Sequence, residues 1–275
     1  MKGTVYVPVS DDGRLESIAR PDRVSDTDRS FIRRIVDRVS GMLPDKRMAV
    51  YLRGSLAYGG FLEGISDLDM VVFSESFSPD ERAAVSSAAD EFTRMSADRY
   101  SLVDISCVEA GCLCRPEWNR LYLNIALTGI EVFNNGFALS YPQPVFSEAL
   151  ARRIAAQTET DCAQTLVNIA SEASFEYMGR SRGADFLCVW FARDYLRGLI
   201  AFVMQKERVF SLHLETCAYE FCRCFPQYRA ITEKIFMAER SPVFDRQALE
   251  QLASEALAVY SGLSAAFFKG EDHDG

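Results

Sequence analysis

The sequence predicts an α+β protein: a mixed β-sheet flanked by helices in the N-terminal part, followed by a C-terminal α-helical bundle. Three observations predict it. Apolar, strand-like runs at 48–53, 68–74 and 102–109 alternate with stripes of helical period. Beyond Tyr141-Pro142-Gln143-Pro144 only helical periods remain, so the two prolines mark a linker. A chain of 275 residues with 48% hydrophobic content is long and apolar enough for two cores. The expected division is an N-terminal extension over 1–27, a sheet domain over 28–144, a bundle over 145–268 and a disordered tail over 269–275.

The extension reads as a short extended pair around Asp11-Asp12-Gly13 and a polar connector. A helix is expected over 28–43, with Phe31, Ile32, Ile35, Val36, Val39 and Leu43 on one stripe and Pro44 as its stop. The strand 48–53 leads through a glycine-rich turn into the strand 68–74. Ser78-Pro79-Asp80-Glu81 is a capping box with proline at the first helical position, and Val85, Ala88, Phe92 and Met95 give the helix it opens a buried face. A strand over 102–109, a helix over 117–127 and a strand over 130–133, ending in Asn134-Asn135-Gly136, complete the sheet domain. The bundle is expected as helices over 146–157, 159–178, 184–207, 211–223, 227–238 and 244–268.

Composition excludes several chemistries. With two histidines, one of them His273 in a polar tail, a Ser-His-Asp, Cys-His or multi-histidine metal mechanism would have to run on His213 alone. The formal net charge of −9 argues against sequence-independent nucleic-acid binding, which draws its affinity from Lys and Arg. No apolar run reaches membrane-spanning length, and eight cysteines without an export signal fit thiols in a reducing cytoplasm. Cys112 with Cys114 and Cys222 with Cys224 lack the two-residue gap of common zinc knuckles and read as buried thiols.

The chemistry lies in the stretch from Tyr51 to Phe73. A strand ends in Gly54-Ser55, a glycine-rich turn follows, and the next strand opens with Asp67 and Asp69. Residues two apart on a strand share a face, so both carboxylates point the same way. Such neighbours repel unless a cation lies between them, and an oxygen-only donor set favours magnesium or manganese over zinc. Gly54-Ser55 supplies exposed N–H groups and a small hydroxyl, a cradle for anionic oxygens. A phosphate cradle beside paired carboxylates is the equipment of phosphoryl or nucleotidyl transfer. Asp104 is an acid within a buryable strand and demands a partner; in an antiparallel arrangement it would meet the first two. Arg53, just before Gly54, is either a phosphate ligand or an outward-facing edge residue. Arg193 and Arg197, four apart on a helix, share a face, one of them expected toward the nucleotide. Arg180 and Arg182 read as surface charges, Trp118, Trp190 and Tyr195 as core, and His213 as structural.

The pattern Gly54-Ser55, eleven intervening residues, then Asp67-Leu68-Asp69, with a later strand carboxylate, resembles the DNA polymerase β-type nucleotidyltransferase superfamily. Within it, the layout is similar to the aminoglycoside 3″-adenylyltransferase type, which joins a nucleotidyltransferase domain to a helical bundle. Gly54-Ser55-Leu-Ala-Tyr-Gly59-Gly60, Ser66-Asp67-Leu68-Asp69 and Cys224-Phe-Pro226-Gln227-Tyr228 carry the likeness. The resemblance implies that Asp67 and Asp69 hold two Mg²⁺ ions, that Asp104 is the third carboxylate of the metal site and accepts the proton of the acceptor hydroxyl, and that Gly54, Ser55 and Ser66 grip the nucleotide. It places a phosphate-binding lysine in the turn before the helix at 211–223; here Lys206 or Arg208 stands in its place. The implied reaction moves AMP from ATP to a hydroxyl of a small acceptor of the aminoglycoside kind, with release of pyrophosphate. Two alternatives remain: adenylylation of a protein or tRNA, as in antitoxins, and a non-catalytic nucleotide-binding module. An acidic surface favours a cationic small acceptor over a polyanion.

Overall fold

The structure is a computed structural model that describes residues 4–115, 118–171, 175–177 and 180–268, with the backbone alone for 175–177 and 180–182. The chain falls into two compact units: a sheet unit, Glu16–Pro144, and a helical unit made of the segment up to Leu15 together with the chain from Val145 onward. Among the described residues no helix is long and apolar enough to cross a membrane.

In the sheet unit, α1 (Asp26–Met42) precedes β1 (Ala49–Arg53). It starts earlier than its apolar stripe suggests because Ser25 caps it, accepting from the Asp28 N–H at 3.2 Å. A four-residue helix, α2 (Ser55–Tyr58), fills the first part of the glycine-rich turn before β2 (Leu68–Ser74). The capping box opens α3 (Pro79–Met95), but Met95 faces solvent, half exposed at the frayed last turn. β3 (Val103–Glu109), a short 3₁₀ turn, α4 (Asn119–Thr128) and β4 (Ile130–Asn134) follow. The expected helix start at 117 lies outside the described residues.

The strands lie in the order β3-β2-β1-β4, a mixed sheet as expected. β1 runs antiparallel to both neighbours, and β2 and β3 run parallel. The antiparallel meeting of Asp104 with the earlier acids is therefore corrected: α3 crosses over between β2 and β3, and a helical crossover joins parallel strands. Helices α1 and α3 cover the sheet face that carries Val50, Leu52, Met70, Val72, Val103 and Ile105. The alternation of strand side chains leaves Arg53, Asp69 and Asp104 for the other face.

The helical unit holds α5 (Glu148–Ala170), a hairpin of β5 (Phe175–Tyr177) and β6 (Arg180–Arg182), α6 (Ala184–Gly198), α7 (Ile200–Val203), α8 (Leu214–Cys224), α9 (Arg229–Arg240) and α10 (Arg246–Phe268). One helix, ending at Ala170, thus replaces the two expected over 146–157 and 159–178, because Thr158 is buried in a continuous helix with no glycine or proline beside it, and Phe175–Tyr177, expected to be helical, is strand β5 instead. Position 178 lies outside the described residues. The helix expected over 184–207 ends at Gly198 and resumes for one turn, and residues 204–213 leave the helical path. The N-terminal segment straps this unit: the Val7 N–H donates to the Phe210 carbonyl at 2.9 Å, and Ser211 Oγ donates to the Val5 carbonyl at 2.6 Å. Its extended pair closes as a bridge between Val9 and Leu15.

Candidate active site

The register of the sheet brings three of the predicted residues into one row. Arg53 on β1 lies opposite Asp69 on β2, and Asp69 lies beside Asp104 on β3. Directly opposed residues project to the same face, so one cation and two carboxylates converge at the sheet end where β1 finishes and β2 and β3 begin. The Nη2 atom of Arg53 is 3.2 Å from Asp69 Oδ1 and 3.2 Å from Asp104 Oδ2. Asp67, two residues before Asp69, accepts from Ser101 Oγ at 2.5 Å through Oδ1.

Asp104 is 6% exposed. Burial pushes its carboxyl up to about 6; Arg53 and a hydrogen bond from Ser106 Oγ pull it down, while Asp69 and Asp67 add to the rise. Three carboxylates thus sense one another at one edge of the sheet. Among the described residues, however, no three His, Cys, Asp or Glu side chains gather into a ready metal cluster, and Arg53 stands between two of the candidates.

Gly54 follows Arg53 with φ 76°, in the left-handed region. A Cβ at this position would collide with the Asp69 carboxylate, so glycine is required both for the turn and for the close approach. Its N–H points to Thr128 Oγ1 at 3.4 Å, and Ser55 begins α2 half-buried beside it. Ser66 lies in the turn before β2, where its Oγ accepts from the Leu62 N–H at 3.0 Å.

Residues 32–105 match the protein family described as "Nucleotidyltransferase domain". The chain carries a nucleotidyltransferase domain over these residues. It is an enzyme of the nucleotidyltransferase class. Its fold is similar to the crystal structure of spectinomycin adenyltransferase AAD(9) from Enterococcus faecialis with ATP and spectinomycin, with a TM-score of 0.57. The match covers 84% of this chain and 98% of that one at 11% sequence identity, a likeness of fold. No sequence among curated proteins matches the chain.

The nucleotidyltransferase domain, which spans the α1–β3 region, therefore contains Arg53, Gly54, Ser55, Ser66, Asp67, Asp69 and Asp104. The remaining predicted nucleotide ligands belong to the helical unit. Arg193 Nε pairs with Glu239 Oε1 at 3.1 Å. Arg197 lies near the end of α6; burial lowers the pKa of the half-buried His213, Glu215 opposes the shift and the Arg197 charge adds to it. Lys206 donates to the Cys224 carbonyl at 3.1 Å and sits over the Phe225 ring. Arg208 donates to the Ser10 carbonyl at 2.8 Å. Tyr195 is core, Trp118 and Trp190 are half-buried, and of the thiols expected to be buried Cys114 is exposed and Cys224 half-buried. The side chains of Arg180 and Arg182, the tail from 269 and His273 lie outside the described residues.

Three residues at the site carried no prior expectation. Ser101 holds Asp67, Ser106 holds Asp104, and Thr128 meets Gly54. Ser106 had a signal, since it shares the strand face of Asp104 two residues on. Ser101 and Thr128 reach the site only through tertiary packing.

Proposed function

We propose that this chain transfers AMP from ATP to a hydroxyl of a small cationic acceptor, such as an aminoglycoside-like antibiotic, and releases pyrophosphate. The observation that supports this most is the row of Arg53, Asp69 and Asp104, with Asp67 and Gly54-Ser55 beside it, in a nucleotidyltransferase domain. The oxygen donors and the raised carboxyl of Asp104 fit a hard divalent cation: like charges held together are relieved by one. Asp67 and Asp69 would hold magnesium, two ions in this reading, with Asp104 as the third carboxylate. Bound there, magnesium neutralises the phosphate oxygens and acidifies the acceptor hydroxyl.

The chain's own groups do the rest. The Gly54 backbone and the Ser55 hydroxyl grip the triphosphate, and Ser66 closes the turn beneath it. Ser101 orients Asp67 through its hydroxyl. Asp104, held at Oδ1 by the rotatable Ser106 hydroxyl, receives the acceptor proton. The acceptor oxygen forms its bond to the α-phosphorus as the bond to pyrophosphate breaks, and pyrophosphate leaves with the electron pair.

The preference for a small cationic acceptor rests on the net charge of −9 and on the shared fold with an enzyme determined with ATP and spectinomycin. The test is incubation with labelled ATP or GTP, Mg²⁺ and a panel of hydroxylated antibiotics, proteins and tRNA. Label on a small cationic acceptor with matching pyrophosphate release is the expected result. Label on protein or tRNA would replace the acceptor class. Calorimetric binding of Mg²⁺-ATP with no label transfer to any acceptor would replace catalysis with nucleotide sensing.

A further inference from the structure

We infer that Arg53 is a built-in counter-cation of the carboxylate site, which competes with the divalent cation for Asp69 and Asp104 and sets how tightly the protein takes that cation before nucleotide binds. The inference rests on the proposed metal-holding role of Asp67 and Asp69.

Its basis is geometric. One guanidinium nitrogen lies 3.2 Å from carboxylates on two different strands, so a cation held by those carboxylates would contend with it. The sheet register holds all three residues in line, so the contact is built into the fold rather than left to a wandering surface side chain. Asp104, buried at 6% exposure, needs a partner, and Arg53 supplies it. Of the three carboxylate charges at the site, Arg53 cancels one. A divalent cation arriving at Asp69 must therefore work against a fixed positive charge and take at least one oxygen from it. Arg53 is able to yield: it ends β1, its side chain keeps 19% of its exposure, and Gly54 gives the following backbone a turn away from the strand. The released guanidinium retains its fork of donors, which suits phosphate oxygens. Phosphate binding and cation control are then successive uses of one side chain.

The experiment titrates Mn²⁺ without nucleotide, following free Mn²⁺ by electron paramagnetic resonance, in the wild type, Arg53→Gln, Arg53→Lys and Asp69→Asn. Melting temperatures are read with and without Mg²⁺. Arg53→Gln is expected to bind Mn²⁺ about tenfold tighter, the scale for removing one nearby charge in a partly screened site. It is also expected to melt lower than the wild type without divalent cation and to regain that loss when Mg²⁺ is added. A purely structural arginine would give the loss without the recovery, and a pure phosphate ligand would leave Mn²⁺ affinity unchanged; either result overturns the inference. If Arg53→Gln does not fold even with Mg²⁺, Arg53→Lys decides. The lysine side chain ends short of the Nη2 position that touches both carboxylates, so its ammonium holds them less closely; a gain in Mn²⁺ affinity supports the competition and no gain overturns it. Asp69→Asn separates the two layers. Loss of Mn²⁺ binding there with no gain in the Arg53 variants sinks the inference alone, whereas unchanged binding in Asp69→Asn sinks the metal reading of the site.

Discussion

Gly54 lies against the carboxylate of Asp69 so closely that no side chain fits between them. The contact links the turn after β1 to the first residues of β2, the two segments that carry the nucleotidyltransferase pattern. Gly54→Ala meets two obstacles: a φ of 76° with ψ of −157°, a region kept essentially to glycine that costs a residue with a Cβ about 1–3 kcal/mol, and the displaced carboxylate. The variant is expected to unfold at lower urea and to lose about 10²-fold in turnover, the scale for misplacing a reacting group by about 1 Å. Denaturation and nucleotidyl-transfer rates measured on one preparation check both, and normal turnover would remove Gly54 from the site.

Asp69→Asn changes one oxygen to nitrogen and keeps the shape. Asp69 adds to the rise of the Asp104 carboxyl, so removing its charge relieves a like-charge contact even as it weakens the pair with Arg53. These effects oppose each other, and melting within a few degrees of the wild type is expected. Turnover is expected to fall by more than about 10²-fold, the scale for losing one electrostatic stabiliser. A variant with wild-type turnover would show that the carboxylate takes no part in the chemistry.

Much of the site was legible because its central residues are local: Gly54-Ser55 and Asp67-Leu68-Asp69 lie at or next to the ends of consecutive strands. Asp104 was legible only as a buried acid needing a partner. That Arg53 is this partner depends on a parallel β2–β3 register, which leaves no mark on the run 102–109 itself. In the helical unit, periodicity found the helices but misjudged their joints. Thr158 fell between the helices expected over 146–157 and 159–178, yet it is buried inside a single helix. The segment up to Leu15 gave no sign of joining that unit. The hydrogen bonds that tie it there, the Val7 N–H to the Phe210 carbonyl and the Ser211 hydroxyl to the Val5 carbonyl, connect groups some 200 residues apart, which no local pattern encodes.

Gly198, at the end of α6, packs closely against α5. A Cβ there would run into the Thr158 side chain of α5, and the Gly198 carbonyl accepts from the Tyr260 hydroxyl of α10 at 3.1 Å. Gly198→Ala is expected to cost about 1–3 kcal/mol, the range for overpacking a closed core. Combining it with Thr158→Ala should recover part of the loss, since the two side chains compete for one space. Strict additivity of the two changes in a denaturant series would show that they do not meet.

Asp28 predicts how the protein responds to acid. It is 2% exposed, and Arg99 grips it with two nitrogens, Nε at 2.7 Å and Nη2 at 2.9 Å, while Ser25 and Tyr100 donate their hydroxyls. Burial alone would raise its carboxyl; the hydrogen bonds from Arg99, Ser25 and Tyr100 outweigh burial and hold it below the usual range. A depressed folded-state pKa means that the unfolded chain takes up the proton first as pH falls. The stabilisation is therefore complete above the unfolded value, near about pH 3.9, and is lost as pH drops from there through the folded value. Asp28→Asn keeps the shape but not the charge, so it should cost about 1.5–3 kcal/mol at neutral pH, the scale of hydrogen bonds to a charged group. The difference between wild type and variant should then shrink as pH is lowered from 5 to 3 on the order of one proton's worth of linkage. Urea midpoints measured across that range check it, and a difference that stays constant down to the acid limit would show that Asp28 is not ionised in the folded protein.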